Sequence, residues 1–237
     1  MEHSVTRPSD RFGFWISTLT AVTTAITFVM AVLTPPKAGP FCTDDCLAYP
    51  YTDFAADIPR DFLWMYPALV VAPLLLILLA TMHERTPVPR RGFARSALAF
   101  GVMAATTLTA AYFIQLRFVQ PAVLKDELDG LAPLTQYNPH GVFIALEEAG
   151  YTSMAVAFLF AGLTLPKEGR LERALRLILI GGFVAVAVLF VVFSVVYGME
   201  LEYRFEVAAI TVDWTVLIVA STLLASVYAR SGQPPSA

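Results

Sequence analysis

Long apolar runs separated by short polar segments dominate the pattern of this chain. A helix rises about 1.5 Å per residue, so about 20 apolar residues cross a hydrocarbon core about 30 Å thick. Six runs are long enough: Phe12–Thr34, Leu63–Met82, Ser96–Val119, Val142–Leu165, Leu175–Tyr197 and Val207–Ala229. Lipid leaves backbone N–H and C=O groups unpaired unless the segment is helical. The pattern therefore predicts an all-α integral membrane protein, with six transmembrane helices in one bundle and a single domain over residues 1–237.

The first run stands where a secretory signal peptide would stand. It is about twice as long as the apolar region of about 7–15 residues that such a peptide contains. The sequence Leu33-Thr34-Pro35-Pro36 follows it, where a cleavage site would need small residues. We expect a retained helix, with cleavage as the less favoured alternative.

Composition agrees with lipid as the solvent. Hydrophobic residues make up 57% of the 237 residues and charged residues 15%, whereas soluble domains average about 45–50% and about 25%. This excess excludes a disordered chain, a disulfide-stabilised mini-protein and a simple cytosolic enzyme. The net charge is -3, so the chain lacks the basic excess of a nucleic-acid-binding protein.

The lysines and arginines are divided unequally between the two sides of the predicted bundle. Eleven of the 16 belong to one side: Arg7, Arg11, Arg85, Arg90, Arg91, Arg95, Lys167, Arg170, Arg173, Arg176 and Arg230. The other five are Lys37, Arg60, Arg117, Lys125 and Arg204. Because short cytoplasmic loops are enriched in basic residues, we predict that both termini are cytoplasmic. We expect the location to be the plasma (inner) membrane of a prokaryote.

The outer loop over residues 35–62 contains two cysteines, Cys42 and Cys46, in Phe-Cys-Thr-Asp-Asp-Cys. Disulfides persist outside the cytoplasm, so a structural disulfide is the favoured interpretation. A metal site completed by Asp44 and Asp45 is one alternative, but two cysteines supply only half of a structural zinc site. A thiol-exchange pair is the other, although its usual spacing is C-x-x-C.

Polar residues inside the spans are the main candidates for a functional site, because charges at membrane depth are rare and costly. The fourth span contains Glu147 and Glu148, the sixth contains Asp213, and the third contains Gln115 and Arg117. The acids lie about 9 Å, and the third-span residues about 3–6 Å, below the outer ends of their helices. We expect these groups to meet in the outer third of the bundle.

Neighbouring positions extend this predicted site. His140 precedes Glu147 by seven residues and would share its face if the helix began by Asn138, and Tyr151 follows Glu147 by one turn. Glu206 and Asp213 have the same seven-residue spacing. The candidate ligand- or ion-binding residues are Glu147, Glu148, Asp213, Arg117, His140, Gln115 and Tyr151. Three acids against one arginine favour a cation, a proton or a basic group; the alternative is a set of ion pairs that only joins helices.

The first span contains a row of hydroxyl residues. Ser17, Thr20, Thr24 and Thr27 are spaced by three, four and three residues, which places them on one helix face. Small hydroxyl residues are typical of close helix packing. A polar pathway is the less favoured interpretation.

Several membrane chemistries lack their usual residues here. No lysine lies within a predicted span, as a retinal Schiff base requires, and the three histidines lie outside the spans or at their ends, which does not suit bis-histidine haem. We expect no cofactor and assign no catalytic residue. A small transporter or a solute- or cation-binding protein, with lipid and a small ligand as partners, is the favoured function. A non-catalytic sensor, scaffold or assembly subunit is the alternative, and an outward-facing enzyme acting through the carboxylates is less favoured.

Overall fold

The computed structural model describes residues 8–231, and helices dominate this part of the chain, which contains no strand. The helices are α1 (Pro8–Leu33), α2 (Met65–Arg85), α3 (Arg91–Ile114), α4 (Gln120–Leu124), α5 (Val142–Thr164), α6 (Arg170–Tyr197) and α7 (Tyr203–Ser231). The six long helices belong to six segments that are long and apolar enough to cross a membrane, and the short α4 ends the third of these segments, Val88–Leu124. The prediction of six long apolar helices is therefore confirmed.

The helices extend beyond the apolar windows that predicted them. α6 begins at Arg170 where the apolar run begins at Leu175, and α7 begins at Tyr203 where the run begins at Val207. Helical hydrogen bonding continues past the apolar part of a span, because polar residues at a helix end are also good helix formers. This extension adds Glu206 to the first turn of α7.

The long helices pack as a ring in the order α1, α2, α3, α5, α6, α7 and back to α1, with α5 also contacting α7. Small residues allow close approach between neighbouring helices. A Cβ atom at Gly150 of α5 would lie 2.6 Å from the Leu108 side chain of α3, and one at Gly182 of α6 would lie 2.7 Å from Val216 of α7. These contacts hold α5 and α7, which carry the acidic residues, in fixed positions.

One wide turn interrupts the third span. Residues Gln115–Val119 form a π-helical turn that joins α3 to α4 without a break. Pro121 follows this turn; proline has no N–H, and its ring clashes with the carbonyl four residues earlier in a regular helix. The buried Gln115 side chain donates to the Leu134 carbonyl (2.6 Å) and accepts from the Gln136 N–H (3.0 Å). Gln115 therefore fastens the connection between α4 and α5 to the bundle.

Arginines close the helix ends at one end of the bundle, which we call the basic end. The Arg90 side chain donates to the Leu165 carbonyl at 2.7 Å, and Arg176 donates to the Leu165 and Gly162 carbonyls at 3.0 and 3.2 Å. The last carbonyls of a helix lack partners within it and carry partial negative charge. These arginines thus stabilise the C-terminus of α5.

The opposite end, which we call the disulfide end, is covered by residues 35–64. Cys42 and Cys46 are disulfide-bonded, as predicted. The rings of Phe54, Phe62 and Tyr137 lie 4.8–6.1 Å apart, and the Tyr137 hydroxyl donates to the buried Asp61 at 3.2 Å. Burial, reinforced by Asp61, raises the pKa of Tyr137, so its hydroxyl stays a neutral donor.

Candidate functional site

A cavity of about 240 Å³ lies at the disulfide end, between α1, α5, α7 and the segment that follows α1. Its walls are mostly apolar and include Phe28, Trp64, Phe143 and Trp214. The Trp214 ring centroid lies 5.8 Å from that of Phe28 and 6.2 Å from that of Trp64. Largely apolar cavities with a few directed polar groups are typical of sites for small molecules.

Two carboxyl groups form the polar part of the cavity wall. Glu147 of α5 and Glu206 of α7 are 1% and 7% exposed, and both line the cavity. The two side chains are close enough to interact with each other. Two carboxylates that share one buried site repel each other strongly when both are ionised, so the arrangement favours one proton held between the two groups. The pair can therefore release a proton, or exchange it for another cation.

Two buried tyrosines hold Glu147 in place. The Tyr112 hydroxyl donates to Glu147 Oε1 at 3.0 Å and lies 2.7 Å from the Tyr151 hydroxyl. Each phenol has one proton; because Tyr112 gives its proton to Glu147, Tyr151 donates to Tyr112. The oxygen of Tyr151 is left to accept a proton donor.

Asp213 lies beside this chain of hydroxyls but outside the cavity wall. It is fully buried, neither carboxyl oxygen has a hydrogen-bond partner, and it is close enough to Tyr151 to interact with it electrostatically. A buried polar group without a partner is costly, and such groups are commonly retained for function. Asp213 is therefore the least satisfied charged group in the described bundle.

Lys37 lies in the cavity wall on the side of the disulfide loop. Its ammonium group is 3.0 Å from Asp45, within that loop, and 3.6 Å from Asp57. The hydrogen bond to Asp45 raises the pKa of Lys37, so the ammonium group stays charged at neutral pH. These two carboxylates compensate the lysine charge, and the paired acids of the cavity lack such a basic partner.

Removal of the disulfide tests how much this bridge stabilises the protein. We expect the variant with both Cys42→Ser and Cys46→Ser to lose only about 2 kcal/mol of stability, because the bridge closes a short ring. Thermal unfolding in detergent measures this change. The Thr43→Ala variant is altered within the ring but keeps the bridge, so it should unfold at the same temperature as wild type. Equal stability of the serine variant and wild type would contradict the prediction.

The structure brings together three of the predicted site residues, Glu147, Tyr151 and Asp213, and adds Tyr112 and Glu206. Gln115 is buried but holds the α4–α5 connection, as described above. Glu148 is half-buried beside the pair, since consecutive helical residues point about 100° apart.

Arg117 and His140 do not join the cluster, in contrast to the prediction. Arg117 is exposed, because it lies two residues after the buried Gln115 and therefore points to the opposite side of the helix. His140 is also exposed, because α5 begins only at Val142 and the seven-residue spacing to Glu147 does not run along a helix. The nearest acid to its Nε2 atom is Glu202, at 3.9 Å.

One group of side chains at the disulfide end of the bundle has the composition of a metal site. Single ligand atoms of His140, Glu200 and Glu202 lie within 4.8 Å of one another. Two of the three side chains are exposed, and Glu202 also pairs with Arg204 at 3.3 Å. Exposed acidic groups are common without an ion, so this group adds nothing to the cavity site.

Glu206 and Tyr112 are the site residues that the sequence did not select. The apolar run began at Val207, so Glu206 was placed outside the span, although its seven-residue spacing from Asp213 was a usable signal. Tyr112 has no sequence signal, because an aromatic residue in an apolar helix is usually a packing residue.

Comparison with known proteins finds no match to this chain. No family model, no curated protein and no solved structure matches this chain.

Proposed function

We propose that this protein is a small transporter or solute-binding protein of the membrane, whose ligand is a small cation with an apolar part. The observation that carries the proposal is the close pair of buried carboxyl groups, Glu147 and Glu206, in the wall of an otherwise apolar cavity. An organic ammonium ion matches both features. Its N–H groups can replace the proton between the carboxyls, and its apolar part can occupy the rest of the cavity.

The aromatic walls support the same class of ligand. Trp64 and Trp214 both line the cavity, and the face of an indole ring attracts cations. Lys37 would repel a cation only if its charge were unbalanced, and Asp45 and Asp57 balance it. The cavity therefore favours a positively charged ligand over an anionic one.

We also propose that the cavity faces outward. Ten of the 16 lysines and arginines lie in the described helix ends and loops of the basic end, and such residues mark cytoplasmic loops. This orientation places both termini in the cytoplasm and the disulfide at the oxidising side, as expected for a prokaryotic plasma membrane.

A sensor, scaffold or assembly subunit is the alternative function. It would need a closed polar cluster in which every group has a partner. The cavity beside Glu147 and the unpartnered oxygens of Asp213 favour ligand binding instead.

Binding of 2-phenylethylammonium to the purified protein in lipid nanodiscs tests the proposal. A charge-assisted hydrogen bond contributes about 1.5–3 kcal/mol, so Glu147→Gln and Glu206→Gln should each weaken binding by roughly 10- to 100-fold. Isothermal titration calorimetry measures the dissociation constants. Uncharged 2-phenylethanol should bind far more weakly than the ammonium ion.

Glu127→Gln is the matched control, because Glu127 is an exposed acid at the same end of the bundle. Its dissociation constant should equal that of wild type. The proposal fails if wild type does not bind the ammonium ion, or if the alcohol binds equally well. It also fails if the Glu147 and Glu206 variants bind as wild type does.

A further inference from the structure

The buried face of α1 has an unusual composition for a membrane helix. Between residues 10 and 33 its buried positions are Asp10, Gly13, Ser17, Thr20, Thr24 and Thr27. Apart from the glycine, all of them have polar side chains. α1 packs along α7 and also contacts α2. The side of α1 that faces the bundle is therefore polar.

Close packing alone does not explain this face. Thr20 and Thr27 satisfy their hydroxyls within α1, by donating to carbonyls four residues earlier at 2.8 Å. The Ser17 and Thr24 hydroxyls have no partner in the part of the chain that the structure describes, and on α7 the same holds for Ser221. Close packing needs small residues but gains nothing from unpaired hydroxyls.

Two contacts set the register of the antiparallel helices. The rings of Phe28 and Trp214 are in contact near the cavity, and Gly13 faces the ring of Tyr228 near the basic end. Between these contacts, Thr24 lies at a level between Asp213 and Ser221, and Ser17 lies at a level between Ser221 and Tyr228.

These buried polar groups therefore alternate between the helices, at steps of about one turn along the helix axes. Their order from the cavity is Asp213, Thr24, Ser221, Ser17 and Tyr228; we call this row the α1–α7 seam. A helical turn rises about 5.4 Å, and one water bridging two oxygens spans about the same distance, through two hydrogen bonds of about 2.8 Å each. The spacing thus suits an alternation of side-chain hydroxyls and single waters.

Both ends of the seam continue to polar groups. At the basic end, the Arg85 guanidinium lies 4.7 Å from the centre of the Tyr228 ring and 3.6 Å from Asp10. At the other end, Asp213 interacts electrostatically with Tyr151, whose free oxygen can accept a proton and whose own proton points through Tyr112 to Glu147. Besides Tyr112, the ionisable groups that interact with Tyr151 are Asp213, Glu147 and Glu206.

We propose that the α1–α7 seam is a proton pathway between the basic end of the bundle and the carboxyl pair of the cavity. This inference deepens the proposed function, since it names the proton as the ion that exchanges with the bound cation. Each hydroxyl or water accepts one proton from one neighbour and releases its own to the next, so only O–H bonds form and break. One proton enters beside Asp10 for each proton released at the carboxyl pair.

Proton flux into vesicles tests the pathway. The full chain is reconstituted into phosphatidylcholine–phosphatidylglycerol vesicles containing a pH-sensitive dye, and a potassium gradient with valinomycin sets the membrane potential. Wild type should carry protons faster than protein-free vesicles do. Asp213→Asn and Thr24→Val should reduce this flux by roughly tenfold or more, because each removes a proton-relaying group from a single row.

Matched variants distinguish the loss of a proton-relaying group from the loss of correct folding. Thr24→Ser keeps the hydroxyl and should retain the flux, and Thr222→Val, which removes an exposed hydroxyl of α7, should leave it unchanged. Thr24→Val should still bind 2-phenylethylammonium as wild type does. The pathway is overturned if wild type carries no more protons than protein-free vesicles, or if Asp213→Asn carries as many as wild type. Ligand binding without flux would overturn the pathway alone, and flux without ligand binding would overturn only the proposed function.

Discussion

Replacement of Asp213 by alanine is expected to make the protein more stable. Asp213 is fully buried and both of its oxygens lack a partner. An aspartate at the centre of a membrane helix costs about 2.5–3.5 kcal/mol, and the small void left by alanine returns only part of that gain. We expect a net increase of about 1–3 kcal/mol, where each 1 kcal/mol raises the melting temperature by about 2–4 °C in a chain of this length.

Thermal unfolding followed by circular dichroism measures this effect. Asp129→Ala is the control, because Asp129 is an exposed acid at the disulfide end, and its variant should stay within about 0.5 kcal/mol of wild type. A loss of stability in Asp213→Ala would mean that Asp213 has a stabilising partner, in contrast to the structure. A more stable variant that carries no protons would show a residue retained for function at a cost in stability.

Replacement of Trp214 by alanine is expected to have the largest destabilising effect. The Trp214 side chain is 2% exposed, and its ring contacts Phe28, Trp64 and Tyr151, from α1, the N-terminal end of α2, and α5. Truncation of a buried tryptophan costs about 3–5 kcal/mol, because a large void remains. Thermal unfolding should show this as a fall of roughly 6 °C or more.

Trp15 provides a control of the same residue type. It lies on α1 and is 64% exposed, so Trp15→Ala should change stability by only about 0.5 kcal/mol. If both tryptophan variants lost equal stability, Trp214 would not be the centre of the aromatic contacts between the helices.

The six long helices could be predicted because lipid imposes a minimum apolar length on any helix that crosses it. The ends of the helices could not, since residues such as Glu206 continue a helix without being apolar. The exposure of Arg117 also escaped prediction, because the depth of a residue in a span does not show which side of the helix it occupies.

The candidate site was predicted in part for a related reason. Glu147 and Asp213 were identified because charge is rare at membrane depth, and their burial in one interior region follows from that cost. Their partners are set by packing between helices that are distant in sequence. Tyr112 is 35 residues from Glu147, and no local pattern relates the two. The hydroxyl row of α1 was visible in the sequence, but the unpaired state of Ser17 and Thr24 required the contact with α7.

The wide turn at Gln115–Val119 has a consequence for the evolution of this chain. A π-helical turn holds one residue more than an α-helical turn and commonly arises by insertion of a single residue into an α-helix. A diverged homologue that kept the ancestral helix would lack one residue in this segment, and an alignment would place a one-residue gap beside the equivalent of Gln115. Such a homologue would lack the two hydrogen bonds of Gln115, which donates to the Leu134 carbonyl and accepts from the Gln136 N–H. The gap would thus distinguish lineages that arose before the insertion from those that arose after it.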